Sequence, residues 1–305
     1  LPSWILTEDR FSPLAEKLRN EYDRRFQDPR DTRSDRFVWD YWHVPGQYTL
    51  LRTPAYHYFS ENLYSRFHQS LVMWGRKHLG CWDISPPWLS CYVEGCKQEL
   101  HSDVPHGAWA YVYSLSPRRP VYTGGETLVL RPEVLSYWRN FSAARDRERS
   151  SFVRTVPAKF NRLTVFDPRL PHGVTEVRGT HDPREGRLVV HGWFTQPKTY
   201  LDGYLPERVV EKKLNEASSR VGELVLVFEQ QGIISPVQGT LAVGIQVSKS
   251  GRVSSARFMT NTLVDLSGES PRPLLNRILK IYRELEFPSV KGPTWLTVPL
   301  ILTLN

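Results

Sequence analysis

The 305-residue chain has room for about two domains, and its 40% hydrophobic and 24% charged residues are those of an ordinary globular protein, not a disordered one. The net charge of +8 comes from 40 Lys and Arg against 32 Asp and Glu, dispersed without blocks of one sign, so no nucleic-acid partner is expected. No apolar run reaches the roughly 18 residues of a membrane span and three cysteines are too few for a disulfide framework, so we expect no span, buried thiols at Cys91 and Cys96, and a cytoplasmic location.

The N-terminal region reads as helical. Ser12-Pro13 is a cap followed by proline at the first helical position. Leu14, Leu18, Tyr22 and Phe26 recur every four residues until Pro29. A second helix is predicted over about 60–78, with Leu63, Phe67, Leu71 and Trp74 inward and Gly80 as its stop. From Leu89 the pattern becomes that of short strands: Leu89–Val93, Trp109–Leu115, Glu126–Leu130, Arg162–Phe166, Gly173–Val177 and Leu188–Phe194. Gly, Pro and Asp clusters separate them, as in an all-β sandwich or barrel. A helical insert is predicted over about 132–153. Residues 196–232 read as a mostly helical connection. Thr240–Val247 and Val253–Thr260 then form a hairpin about Lys249-Ser250-Gly251. A helix over 271–286 carries Leu274, Ile278, Ile281 and Leu285, and Trp295–Leu304 closes as a strand. This last part is a small α+β unit.

Phosphate-binding glycine loops and a Gly-x-Ser-x-Gly nucleophile elbow are absent from the sequence. What stands out is His101-Ser102-Asp103, followed by His172. On an extended segment residues i and i+2 share a face, so His101 and Asp103 can reach one metal ion, and a His from a neighbouring strand can complete the set. Two His and one carboxylate leave three positions of an octahedron open, the arrangement of non-haem Fe(II) oxygenases. His-x-Asp alone is a weak signal. Here Gly124-Gly125 opens a strand, Phe160–Asp167 precedes Pro171-His172-Gly173, and Arg187 begins the strand that leads to Trp193. His106, His181 and His191 lack such paired context and are assigned to loops or packing. Asp167 reads equally as a ligand or a group behind the ligands, and as a loop cap before Pro168.

On these motifs residues 89–197 resemble the 2-oxoglutarate- and Fe(II)-dependent dioxygenases, in particular the prolyl-hydroxylase-like branch. The resemblance implies a mainly β fold: a double-stranded β-helix (jelly-roll) core with N-terminal helices packed on one sheet. It implies His101, Asp103 and His172 as iron ligands, and Arg187 as the partner of the distal carboxylate of 2-oxoglutarate. Tyr92 and Tyr113 match tyrosines that line the cosubstrate pocket in some relatives, and Trp193 an aromatic of the arginine strand. The separation of His172 from Arg187 is longer than in those relatives, which leaves Arg178 and Arg184 as rivals. The implied cofactors are Fe(II), 2-oxoglutarate and O2, with ascorbate as an accessory reductant. The implied reaction is hydroxylation of a C–H bond with release of succinate and CO2. With Asp103 present, the ligand set has no vacancy for halide. An inactive jelly-roll binding module is the rival reading.

The C-terminal unit resembles the C-terminal domain of TonB-type energy transducers, through Gly239–Val247, Gly251-Arg252-Val253 and the helix ending near Phe287-Pro288. That implies a protein partner met by strand addition, so a peptide or protein substrate is expected to engage this domain. A purely structural appendage is the equal alternative. The expected organisation is an oxygenase domain over 1–200, a helical linker over 201–231 and the TonB-like unit over 232–305. Every candidate ligand precedes residue 194, so the C-terminal unit is not expected to be needed for metal binding.

Overall fold

Ser12 Oγ accepts the amide of Leu14, and the helix that follows, α1 (Ala15–Arg25), buries Leu18 and Tyr22. The computed structural model describes residues 4–25, 39–103, 106–132, 134, 137, 142, 152–266 and 271–303. After the short α2 (Ala55–Tyr58), α3 (Glu61–Leu79) buries Phe67, Leu71, Val72, Gly75 and Leu79. It stops at Gly80, whose φ of 66° is the left-handed conformation that glycine adopts without penalty.

The N-terminal region is less helical than its sequence suggests. It also holds β1 (Ile5–Asp9), the hairpin β2 (Asp40–Val44) and β3 (Tyr48–Pro54), and β4 (Cys81–Ile84). Each of these strands draws its hydrogen bonds from a partner distant in sequence or from a turn at Gly46, which residue periodicity does not report. The predicted helical insert over 132–153 lies mostly outside the described residues, as do Phe26, Pro29 and Leu304.

Eight strands build the core: β5 (Trp88–Tyr92), β6 (Lys97–His101), β7 (Trp109–Ser114), β8 (Thr127–Leu130), β9 (Val153–Val156), β10 (Arg162–Phe166), β11 (His172–Val174) and β12 (Arg187–Pro197). They pair antiparallel in two layers, β5-β12-β7-β10 and β6-β11-β8-β9. The chain crosses between the layers as it advances, which is the jelly-roll winding. β2 pairs along one edge of β3 while β5 and β6 follow each other along the opposite edge, so β3 bridges the two layers.

Alternation along the strands sorts the two faces. Trp109, Tyr111, Tyr113, Leu163, Val165, Leu188, Val190 and Phe194 pack against α1 and α3. Arg187, Val189, His191 and Trp193 of β12 turn inward to a cavity of about 680 Å³.

The second sheet contains β13 (Tyr200–Gly203), β14 (Val237–Val247), β15 (Val253–Asn261), β16 (Val264–Asp265) and β17 (Thr294–Leu302). Its order is β13-β17-β14-β15, with β16 on β14. Helices α4 (Glu207–Gln230) and α5 (Arg272–Arg283) cover one face. The segment expected to be a linker is built into this unit. β13 pairs with β17, and Val210, Leu214, Ala217 and Val221 of α4 share a core with Val243, Ile245 and Ile278. An amphipathic helix of this length needs a surface to bury its apolar stripe, and the second sheet supplies it. The two units touch at the end of α3, where Thr297 Oγ1 donates to the Lys77 carbonyl at 2.6 Å, and at the turn after β10. No helix among the described residues is long and apolar enough to cross a membrane.

Candidate metal centre

β6 and β11 pair so that His172 lies directly opposite His101. The ring centroids of the two histidines are 4.5 Å apart. Asp103, two residues beyond His101, sets its carboxylate between them: Oδ1 is 3.7 Å from His101 Nε2 and Oδ2 is 3.4 Å from His172 Nε2. One ligand atom from each residue lies within 4.8 Å of the others. The same-face spacing and the cross-strand completion expected from the sequence are both present.

The outer atoms of the histidines are tied down. His101 Nδ1 is 2.8 Å from the Glu99 carbonyl and His172 Nδ1 is 2.9 Å from the Leu170 carbonyl. A carbonyl only accepts, so each Nδ1 carries the proton and each Nε2 presents a lone pair. Two imidazole lone pairs thus converge on one carboxylate, a donor set that calls for a cation between them. Carbonyl-anchored His plus carboxylate fits a first-row divalent metal, Fe(II) included. Burial pushes the Asp103 carboxyl up, but the neighbouring His172 and His101 outweigh it and hold it below its ordinary value. The carboxylate is therefore ionised at neutral pH.

Arg187 opens β12 on the floor of the same cavity and is 1% exposed. Its Nη2 donates to Thr127 Oγ1 at 3.2 Å and its guanidinium lies 4.5 Å from the Tyr92 ring centroid. Nε and Nη1 are buried with no hydrogen-bond partner. Buried donors are rarely left unmade, so these two mark a place for an anion. Gly124 and Gly125, both at positive φ, make the room: a Cβ on Gly124 would fall 1.9 Å from the Glu176 carbonyl oxygen, and one on Gly125 would fall 3.0 Å from Arg187 Cδ. Arg178 and Arg184, the rivals, pair with Glu176 and Asp182 at the surface and do not line the cavity.

Tyr92 lines the cavity beside Arg187, its hydroxyl donating to Gln98 Oε1 at 2.8 Å. Tyr113 does not. Opposite Val190 in the sheet it faces the helices, packs on Phe67 at 4.8 Å and donates to Asn161 Oδ1. The expectation for Tyr113 is corrected by strand alternation, which puts its neighbour Val112 on the cavity and turns Tyr113 to the opposite face. Trp193 lines the cavity, and so do His106, its ring tilted against the indole at 4.6 Å, and His191, whose Nε2 is 2.7 Å from Ser90 Oγ. Burial and the Arg187 charge push the His191 imidazole down to about 3, so it is neutral. His181 is exposed and outside the cavity. Sequence reasoning missed Arg52. Its guanidinium sits between Trp42 (3.0 Å to the ring centroid) and Trp88 (4.0 Å) on the cavity wall, and its Nε has no partner. Reading 40–54 as a hairpin would have put Trp42 and Arg52 on one face.

Residues 87–195 match the model of the family described as the 2OG-Fe(II) oxygenase superfamily. A comparison with curated proteins gives no significant match. Among solved structures the chain is similar to a prolyl-4-hydroxylase from Pseudomonas putida, at 17% identity and a TM-score of 0.42, covering 63% of this chain and 92% of that one. It is also similar to a Trichoplax adhaerens prolyl hydroxylase in complex with a hypoxia inducible factor peptide fragment (15%, TM-score 0.41, 63% and 83% covered). A third is HygX from Streptomyces hygroscopicus with nickel and 2-oxoglutarate bound (13%, TM-score 0.40, 62% and 81% covered). The matched span begins one residue before β5 and ends within β12, so the strands that carry the His-Asp-His cluster and the buried arginine are those of a 2OG-Fe(II) oxygenase domain.

Proposed function

We propose that the protein hydroxylates a C–H bond of a peptide, protein or amino-acid-derived substrate, with His101, Asp103 and His172 holding Fe(II) and Arg187 holding the distal carboxylate of 2-oxoglutarate. The observation that carries this reading is Arg187, a buried cation with two unmade hydrogen bonds in the cavity that also holds the His-Asp-His cluster. A metal site without an acidic cosubstrate gives no reason for it.

When bound, Fe(II) and 2-oxoglutarate supply the oxidising chemistry: O2 is consumed, succinate and CO2 leave, and one oxygen atom enters the substrate C–H bond. The protein's own part is placement and shelter. Tyr92 supports the Arg187 guanidinium from its face, leaving its edge donors to fork onto a carboxylate. The carbonyls of Glu99 and Leu170 hold both imidazoles in one tautomer and orientation. Val112, Val189 and Phe166 line the cavity with apolar surface that excludes water. His191, neutral and bonded to Ser90, adds no charge.

Trp42, Trp88, Trp193 and Arg52 form the remaining wall and are the proposed substrate contacts. The cavity takes a side chain or a small molecule beside the cosubstrate, not a folded domain. A small-molecule natural product is the second reading, supported by the same enclosed volume. For peptide substrates, residues 232–305 are the proposed recruiting unit. β15 ends the second sheet with one edge taken by no other strand among the described residues, and strand addition there agrees with the TonB-like resemblance. Buried, unpaired Cys81, Cys91 and Cys96 support a reducing, cytoplasmic setting.

The test is succinate formation by purified protein supplied with Fe(II), 2-oxoglutarate and O2, alone and with proline-containing peptide pools or free amino acids. Slow succinate release that peptides accelerate is expected. Absence of succinate above the His172→Ala background in every mixture overturns the reading.

A further inference from the structure

The turn between β10 and β11 spends its carbonyls on the metal ligands. The Pro168 carbonyl accepts the Asp103 amide at 2.9 Å, the Arg169 carbonyl accepts Ser102 Oγ at 3.0 Å, and the Leu170 carbonyl accepts His172 Nδ1 at 2.9 Å. The two carbonyls that flank these are used as well, Asp167 by the Leu170 amide and Pro171 by the Leu130 amide. Residues 167–171 are therefore the frame on which Asp103 and His172 are mounted.

Part of what fixes this frame comes from the other unit. Asp167 is 2% exposed, and a buried carboxylate persists only when its lone pairs are met. Arg169 donates to it from Nε and Nη2, at 2.9 and 2.6 Å. The Arg169 amide donates as well, at 3.0 Å, and the fourth donor is Thr262 of the C-terminal unit, whose Oγ1 lies 2.6 Å from Asp167 Oδ2. Arg169 Nη2 also donates to Thr240 Oγ1 of β14 at 2.8 Å. Thr262 and Thr240 are themselves held together, the Thr240 amide donating to Thr262 Oγ1 at 3.0 Å and the Thr262 amide to the Thr240 carbonyl at 3.0 Å. Thr240 is 2% and Thr262 4% exposed, so water does not substitute for either contact.

We propose that the C-terminal unit is a brace for the metal centre: Thr262 and Thr240, acting through Asp167 and Arg169, are positioning residues that set the distance between Asp103 and His172. None of them is a ligand. The proposal rests on the reading of His101, Asp103 and His172 as the metal site. It also accounts for the second sheet being seated beside that site, which recruitment alone does not require.

The test uses the full chain and Co(II), whose visible absorption reports coordination geometry. Thr262→Val keeps the shape and removes the hydroxyl. Partners one layer behind a ligand are worth roughly 10–100-fold in metal affinity, and this contact is one layer further out, so a Kd about 3–30-fold weaker is expected, with an altered Co(II) band. Thr262→Ser restores the hydroxyl and should restore both. Should Thr262→Val not fold, Thr240→Val removes the other rung and is read in the same way. A Thr262→Val protein with lowered Tm but wild-type Co(II) affinity and band shape overturns the brace and leaves only a structural contact. A wild-type protein that does not bind Co(II) instead overturns the metal site itself.

Discussion

Replacing Arg187 by Met separates a cosubstrate arginine from a structural one. In the ligand-free protein the guanidinium has bad company for a buried ion: one hydrogen bond to Thr127 and the face of Tyr92. Burying an ion costs several kcal/mol. A hydrogen bond from a charged group and a desolvated cation–π contact return about 2 kcal/mol each. The remainder is near zero, so Met should change ligand-free stability by no more than about 1 kcal/mol, a Tm shift within about 2–4 °C. A fully paired structural arginine would instead cost about 3–5 kcal/mol on removal. The binding side is different. Charge-assisted hydrogen bonds to a carboxylate are worth about 1.5–3 kcal/mol, or roughly 10–100-fold in affinity. At 2-oxoglutarate equal to 100 times the wild-type Kd, ligand stabilisation is about 2.7 kcal/mol; after a 100-fold loss of affinity it falls to about 0.4 kcal/mol. Thermal melts of both proteins with Mn(II), with and without 2-oxoglutarate, read both quantities. An undiminished ligand-induced shift in Arg187→Met, or a large loss of ligand-free Tm, would falsify the assignment.

Three further outcomes are expected. His101→Ala, Asp103→Ala and His172→Ala should each weaken Co(II) binding by at least roughly 100-fold with the fold intact by circular dichroism, and one variant with wild-type affinity removes that residue from the site. Burial pushes the thiols of Cys81 and Cys91 up to about 12 and raises Cys96, so a thiol reagent at pH 8 should label no cysteine in the native protein and all three after unfolding; rapid native labelling contradicts the packing. Because the His191 pKa is depressed to about 3 in the fold and is ordinary when unfolded, the unfolded chain gains a proton first as pH falls below about 6.5, and stability declines until about pH 3. Between pH 7 and 5 this amounts to about 2 kcal/mol, so urea midpoints of wild type should fall more steeply than those of His191→Asn, and equal slopes refute it.

The sequence determined by itself those features whose cause is local. The stripe Leu14, Leu18, Tyr22 and the left-handed stop at Gly80 need only helical geometry. The strand segments Arg162–Phe166 and Arg187 onward carry enough β-branched and aromatic residues to declare themselves, and the i, i+2 spacing of His101 and Asp103 fixes their common face on any extended chain. Tertiary structure decided everything that depends on which strands meet. The hairpin 40–54 is held by β5 and β6, so Arg52 and its two indoles could not be placed from the order of residues. Tyr113 and Tyr92 look alike in sequence, but the register of β7 and β5 against β12 sends one to the helices and the other to the cavity. Residues 201–231 read as a connection because an amphipathic helix does not name the surface it covers. The bond from Thr262 to Asp167 joins residues 95 apart in the chain, and only the packing of the second sheet against the first could bring that threonine to the turn that carries Asp103 and His172.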